Sequence, residues 1–377
     1  MLGNFVTGCA VLAPAGMLSE LSEGLNVSIR TAGLLITFGA VVLCIGSPLM
    51  AWLTSRIERK TLLAATLGVL AVTNTASAFA ANYSSLLSIR LIMLAVGVLF
   101  TPQAAGTATL IVPAERRGST IAYIFLGWSL AAAAGLPMIT FIASRYGWHA
   151  VYGSIGAVAC LSLLLLLWRL PGGLNAAPVD LKTWLDLSRN RMIVVLLTIT
   201  TLQMSGQFAV FTFMGPLMKK LTGASADATG LVFMLYGVFG FIGVVIATRI
   251  VDRWGAYHTS VLFTSIVLAG VGGWALSAGV YPLMAASVAL WGLGFASTNS
   301  MQQVRLVAAA PRLAPASVAL NTSVLYVGQA IGSAVGGVLY GHDLLHEIGF
   351  VALAFTAIAL VSIVMLTRPR RPALSPA

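Results

Sequence analysis

Charge is what this chain has least of. Only 8% of its 377 residues are Asp, Glu, Lys or Arg, and just ten are carboxylates, whereas a soluble domain carries about a quarter. So few charges cannot cover a water-facing surface, which excludes a soluble globular protein. Cys9, Cys44 and Cys160 all fall inside apolar runs, so a disulfide framework is excluded and the thiols read as small packing residues. Four histidines, His149, His258, His342 and His346, sit in loops or at helix edges with scattered carboxylates around them. No nucleophile motif or metal-ligand spacing emerges, and no enzyme activity, cofactor or metal is expected. His342 and His346 are four apart but read as the solvated cap of a short outer loop.

What the chain has in abundance is hydrocarbon. Hydrophobic residues make up 59% of it, the mean hydropathy is +0.96, and runs of roughly 20 residues suit a bilayer crossing. The runs give twelve spans, at 1–18, 32–51, 62–81, 85–112, 120–143, 149–168, 192–217, 229–248, 259–278, 282–306, 316–340 and 348–366. The first run, without a basic start or cleavage site, reads as a spanning helix instead of a removable signal. At 1.5 Å per residue it reaches only about 27 Å, barely a bilayer's width.

The formal charge of +11 could suggest nucleic acid, but the positions of the cations exclude it. Sixteen of the 21 Lys and Arg residues lie in alternate loops and the tail: Arg56, Arg59, Lys60; Arg116, Arg117; Arg169, Lys182, Arg189, Arg191; Arg249, Arg253; Arg305, Arg312; Arg368, Arg370, Arg371. The opposite loops hold only Arg30, Arg145, Lys219 and Lys220. This asymmetry predicts a multi-pass membrane protein with both termini cytoplasmic.

The one long polar stretch, RLPGGLNAAPVDLKTWLDLSRNR, divides six spans from six. A shift of 197 residues aligns Ser28 with Ser225, Gly33 with Gly230, Leu34 with Leu231, Val41 with Val238, Ile45 with Ile242, Gly46 with Gly243 and Arg56 with Arg253, without a gap. The expected organisation is an N-terminal six-helix bundle at 1–170, a cytoplasmic linker at 171–191 and a C-terminal six-helix bundle at 192–377. Two parallel repeats of this kind suit a transporter that rocks two halves about a midplane site.

The loops AWLTSRIERKTLL and TRIVDRWGAYHTS resemble the signature of the major facilitator superfamily, in which Gly, three residues, Asp, Arg, one residue and Gly precede two basic residues. Arg56, Arg59 and Lys60 fit the first copy, with Ala51, Ser55 and Glu58 as departures; Asp252, Arg253 and Gly255 fit the second, with Thr248, Ala256 and Tyr257 as departures. Arg90 followed by PAERRGS at 113–119 is similar to the drug and sugar efflux branch, the arabinose-efflux-like permeases. So is GWSLAAAAGLP, with Gly135 and Pro137, followed by RYGWHAVY. The resemblance implies the major facilitator fold: an all-α membrane protein of twelve transmembrane helices in two pseudo-symmetric six-helix bundles. It also implies that Arg56, Arg59, Lys60, Gly135, Pro137, Asp252, Arg253 and Gly255 belong to the conformational switch.

For the solute site the sequence offers one charge and a set of amides and aromatics. Arg90 is the only charged residue deep inside a predicted span, where an ionised group costs at least ~2.5 kcal/mol, so it reads as a solute contact, against a competing reading as a side chain snorkelling to headgroups. Gln203, Gln207 and Phe211 share a helix face, as do Trp291, Phe295 and Asn299. Thr101 and Gln103 flank Pro102, while Trp128, Asn321, Tyr326 and Gln329 complete the expected lining. Any single amide has the packing role as its alternative. In the eleventh span Gly328, Gly332 and Gly336 recur every four residues and should admit a second backbone.

The sequence thus predicts a monomeric secondary active transporter in the lipid bilayer that exports a small organic molecule, a drug, sugar or metabolite, by alternating access. The alternatives are an uncoupled facilitator or importer, or a membrane sensor on the same fold. Protons are the candidate coupling ion by resemblance, although Glu20, Glu23, Glu58, Glu115, Asp180, Asp186, Asp227, Asp252, Asp343 and Glu347 all fall in predicted loops. Reporter fusions at Gly173 and after Leu374 should report cytoplasm and a fusion at Gly279 the outside. A cytoplasmic signal at Gly279 would show that the spans are miscounted.

Overall fold

The structure, a computed structural model, describes residues 1–54, 56–113, 117–174, 189–310 and 314–367. Ser55, Glu115, Arg116, Asp180, Lys182, Asp186, Arg312, Arg368, Arg370 and Arg371, and with them most of the expected linker, lie outside these residues. Everything described is helix or short connection: α1 (Leu2–Gly16), α2 (Leu18–Gly24), α3 (Ile29–Leu53), α4 (Arg59–Ser77), α5 (Tyr83–Gly97), α6 (Phe100–Ile111) and α7 (Arg117–Leu130). A π-helical turn (Ala131–Gly135) then leads into α8 (Leu136–Arg169). The second half holds α9 (Arg191–Phe211), α10 (Met214–Thr222), α11 (Ala226–Leu276), α12 (Tyr281–Ala309), α13 (Ala314–Gly341) and α14 (Leu345–Leu366).

Seven of the described helical stretches are long and apolar enough to cross a membrane, and α1 with α2, bent by 65°, makes an eighth. Two of the seven hold more than one crossing. A straight 51-residue helix such as α11 would be about 75 Å long, more than twice the hydrocarbon thickness. Gly255 at φ 73° and ψ 158° breaks it, and Gly147 at φ 80° and ψ 163° breaks α8; these backbone angles are open to glycine and almost nothing else. Dividing both stretches there, and adding α4 and the polar-rich α12, is compatible with the expected twelve crossings. The first crossing is longer than its apolar run because α2 extends it to Gly24, carrying Glu20 and Glu23 on a helix instead of a loop.

The repeat is visible in the caps. Ser28 begins α3 by accepting the Thr31 amide at 3.0 Å, and Ser225 begins α11 by accepting the Ala228 amide at 3.2 Å. A serine hydroxyl at this position satisfies an amide that has no partner in the first turn. The two caps are the first matched pair of the sequence repeat, so the shift aligns real helix starts.

Apolar side chains face both inward and outward. Val72, Phe79, Ile92, Leu164, Trp168 and Leu276 are among many large residues more than half exposed, an arrangement stable only where lipid replaces water. Inside, one cluster runs from Val6 to Ala159 with Leu67, Leu94, Trp148 and Tyr152. The other draws Ala15, Leu18, Ala32, Ile36 and Leu136 from the first half onto Phe213, Met214, Phe233 and Trp291 of the second. That shared cluster marks where the halves meet.

The expected glycine stripe does its work against α9. A β-carbon at Gly328, Gly332 or Gly336 would overlap the carbonyl oxygen of Thr201, Ser205 or Ala209 in turn. Gly332→Val should therefore lower the unfolding temperature of detergent-solubilised protein, an overpacking cost of about 1–3 kcal/mol. Gly68→Ala, where the new methyl meets only Leu163 at 3.9 Å, should be neutral or slightly stabilising. Equal melting of the two variants would show that the close approach is absent.

Candidate functional site

Arg90 on α5 is 2% exposed, so it does not snorkel. It does not present a free fork to a solute either, because all three directions of its guanidinium are taken by backbone carbonyls. Nε donates to Leu35 of α3 at 3.0 Å, Nη1 to Ala10 at 3.1 Å and Nη2 to Val11 at 2.9 Å, the last two on α1. The cause lies in the sequence of α1. Pro14 has no N–H to give the carbonyl four residues back, which is that of Ala10, so Arg90 replaces the lost donor. Gly39 of α3 lies beside this bond, and a β-carbon there would meet Arg90 Nε in ordinary contact at 3.7 Å but overlap Leu94 Cδ1 at 2.6 Å. Arg90 is thus a staple across α1, α3 and α5, and the expectation of a direct solute contact is corrected for this conformation.

The remaining expected site residues fall into two groups. Gln203, Gln207, Phe211, Trp291 and Asn321 are sealed, all 3% exposed or less. Trp291 Nε1 donates to Gln207 Oε1 at 2.8 Å, Gln207 Nε2 to the Gln203 carbonyl at 3.2 Å, and Gln203 Nε2 to Thr264 Oγ1 at 2.9 Å. Gln203 Oε1 is left without a partner, a cost of about 1–3 kcal/mol for a buried acceptor. Phe211 packs edge-on against Phe233 and Trp291, and Tyr236 stands between Trp291 and Phe295 with centroids 5.3 and 5.2 Å away. The shared faces read from the sequence are real, but they build a wall instead of presenting free hydrogen-bonding atoms.

Thr101, Gln103, Trp128, Asn299 and Tyr326 are half-buried. In the first half Trp128 Nε1 donates to Thr101 Oγ1 at 3.0 Å, and Thr101 donates to Asn4 Oδ1 at 2.9 Å. In the second, Thr200 donates to Asn321 Oδ1 at 2.8 Å and Asn321 Nδ2 to Asn299 Oδ1 at 3.2 Å, so the Asn299 amide nitrogen ends the chain. Tyr326, although on α13, packs with Trp128 against the first-half cluster, which puts it between the halves. Gln103 stands apart from this group's bonds, its Oε1 accepting from Arg59 Nη1.

Sequence reasoning missed Asn4, Thr264 and Arg305. Asn4 has Thr7 three residues on and Thr264 has Ser260 four residues back, so helical spacing was the available signal for both. Arg305, counted with the basic loops, is 8% exposed inside α12 and donates to Ser260, Gln302 and Thr367. Gln302 three residues before it was the available signal.

The switch residues divide by end. Arg56, Asp252 and Arg253 are exposed and Lys60 half-buried in the first turn of α4. Glu58, where the family pattern has Gly, accepts the Thr61 hydroxyl at 2.6 Å and the Gly173 amide at 2.7 Å. Together these bonds hold its carboxyl below the usual carboxylate range. With the Arg59 amide on the Leu174 carbonyl at 2.9 Å, they fasten the start of the inter-half connection to the loop before α4. Gly135 closes the π-helical turn, which packs so tightly on α11 that a β-carbon at Gly237 would overlap the backbone of Ala133, and Pro137 lies 3.8 Å from the corresponding position of Gly230.

Polar bonds join the halves at the end away from the basic loops. Thr37 donates to Ser333 at 2.9 Å, Lys219 pairs with Glu23 at 3.4 Å, and Arg145 pairs with Asp227 at 3.9 Å. At the basic end Arg59 and Arg305 each bond within their own half. The halves are thus latched at the end carrying Glu23 and Asp227.

Arg90→Ala should lower the melting temperature as well as transport, since it strands the Ala10 carbonyl at a cost of about 1–3 kcal/mol. Arg90→Lys should recover little, because a point ammonium cannot span two helices as a planar fork does. Full transport and unchanged melting in the alanine variant would remove Arg90 from both roles.

The profile of the Major Facilitator Superfamily matches residues 1–311 and 196–377, so every part of the chain is covered. A probable sugar efflux transporter of Mannheimia succiniciproducens is 25% identical over 367 residues, 96% of this chain and 91% of that protein. The inner membrane transport protein YdhP of Escherichia coli is 26% identical over 381 residues, covering 98% and 95%. Among solved structures, a point mutant of the nucleoside transporter NupG superposes with a TM-score of 0.76 at 12% identity over 97% of this chain and 98% of that one. The D-xylose-proton symporter gives 0.77 at 16% identity over 97% and 95%. With the helices, the repeat and the two-half packing already in place, these matches establish that the chain belongs to the Major Facilitator Superfamily of membrane transporters.

Proposed function

We propose that this protein is a secondary transporter of the inner membrane that exports a small, electrically neutral, polar organic solute by alternating access between its two six-helix halves. The half-buried group of Asn299, Tyr326, Trp128 and Thr101 supports the substrate class. It offers amide, hydroxyl and indole donors beside aromatic walls, the usual make-up of a small-molecule site. It offers no carboxylate to compensate a cationic drug, and the buried Arg90 is occupied by carbonyls. Moving an unpaired charge into such a site would cost several kcal/mol. Efflux direction rests on the branch resemblance and on the sugar efflux relative. Of the family's switch residues, Arg56, Arg59, Lys60, Asp252, Arg253 and Gly255 are assigned here to the basic end and Gly135 and Pro137 to the packing on α11, with both termini in the cytoplasm.

Coupling is the part where the residues favour a second reading. Among the described carboxylates none stands at mid-membrane; Glu20, half-buried on α2 beyond the 65° bend, comes nearest to the core. A proton cycle therefore runs through Glu20, another helix-end carboxylate, or the solute itself, and without one the protein is a facilitator.

Purified protein should gain thermal stability with a neutral polyol, sugar or nucleoside and not with lipophilic cations. Asn299→Ala and Trp128→Phe should remove the gain while keeping the fold. A shift produced by cations alone would overturn the substrate class. In proteoliposomes, accumulation against a gradient driven by an imposed pH difference and abolished by Glu20→Gln assigns antiport through Glu20; flux that only equilibrates assigns a facilitator.

A further inference from the structure

A second site lies away from the junction of the halves, at the basic end of α11. An open surface groove of about 630 Å³ is lined by Arg253, Trp254, His258, Val261, Leu262 and Ser265. The break at Gly255 creates it: Arg253 and Trp254 end one helical segment, and His258 begins the next within a turn. Arg249 stands one turn before Arg253 on the same face and is exposed, as Arg253 is. The three ion pairs among the described residues join Arg145, Lys219 and Lys220 to carboxylates, and neither Arg249 nor Arg253 takes part in one. The neighbouring Asp252 is exposed and also outside these pairs, so one carboxylate faces two guanidinium groups and an imidazole.

The rim and floor of the groove differ in a way that selects a ligand. His258 Nδ1 lies 3.0 Å from the Trp254 carbonyl; a carbonyl only accepts, so this nitrogen carries the hydrogen and Nε2 is the ring's unused atom. Trp254 is 53% exposed, as an indole is at the depth of the headgroups. Val261 and Leu262, one helical turn farther along, supply an apolar floor. A soluble anion would leave that floor uncovered, whereas a phospholipid covers it with acyl chain while its phosphate meets the arginines. We propose that this groove binds an anionic phospholipid, with Arg249 and Arg253 on the phosphate and Val261 and Leu262 against the first acyl carbons. Basic pockets at helix ends are suited to such headgroups. The site is distinct from the solute group and does not depend on the transported substrate.

Native mass spectrometry of the purified full chain tests this with phosphatidylglycerol, with phosphatidylcholine of the same acyl chains, and with inorganic phosphate. Phosphatidylglycerol should be retained in preference to phosphatidylcholine, and each of Arg249→Gln and Arg253→Gln should lower its occupancy roughly fivefold. Arg169→Gln, which removes the same charge elsewhere, should leave occupancy unchanged. Leu262→Ser should weaken phosphatidylglycerol and have no effect on inorganic phosphate. Equal retention of the two lipids, equal loss in all three arginine variants, or displacement of phosphatidylglycerol by inorganic phosphate alone would each overturn the proposal. Because the replaced arginines are exposed, unchanged melting temperatures separate lost binding from lost folding.

Discussion

Hydrocarbon offers no hydrogen bonds, so every polar group carried into the bilayer has to find its partner within the protein. Arg90 shows how this condition organises the first half. Pro14 removes a donor from α1, the Ala10 carbonyl is left open, and a guanidinium from α5 fills the gap while also holding Leu35 of α3. Neither defect would be tolerable alone; together they join three helices at mid-membrane. In the second half hydroxyls and amides do the same work, through Gln203 with Thr264, Gln207 with Trp291, and Asn321 with Asn299.

Small residues set how closely these helices approach. The stripe of Gly328, Gly332 and Gly336 lets α13 reach the backbone of α9. The π-helical turn at Ala131–Gly135 lets the first half meet α11. Between helices in lipid there is little hydrophobic gain from association, so close packing and buried hydrogen bonds carry the cohesion. At one end the halves are bonded through Thr37, Ser333, Glu23, Lys219, Arg145 and Asp227. The ion pairs among them are exposed and individually worth little, so the latch holds one conformation without making it permanent. Such a latch suits a protein that has to open there.

The fold was legible because its signals are long. Twenty-residue apolar runs, a sixteen-to-four division of basic residues and a gapless shift of 197 each draw on many positions, and the Ser28 and Ser225 caps show the shift to be structural. The solute site was legible only by face. Gln203, Gln207 and Phe211 were placed on one face, and Trp291, Phe295 and Asn299 on another, by their spacing. Spacing cannot say whether an amide is bonded to a neighbouring helix or left open, and Gln203, Gln207 and Trp291 proved sealed while Asn299 and Tyr326 stayed half-buried. Asn4 and Thr264 do have polar partners at helical spacing, Thr7 and Ser260, but small hydroxyls on packed helix faces do not by themselves separate a site from packing.

By itself the sequence determined the membrane setting, the two repeats, the basic end and the packed faces of α9, α12 and α13. These follow from composition and from the 3.6-residue period, which are local properties. Only the tertiary structure decided that Arg90 bonds to carbonyls, that Arg305 is buried, that Gln103 belongs to Arg59, and that the halves are latched at one end. Each of those outcomes depends on which donor meets which acceptor across helices far apart in the chain, and in a bilayer that pairing is settled by packing, with no water to stand in for a missing partner.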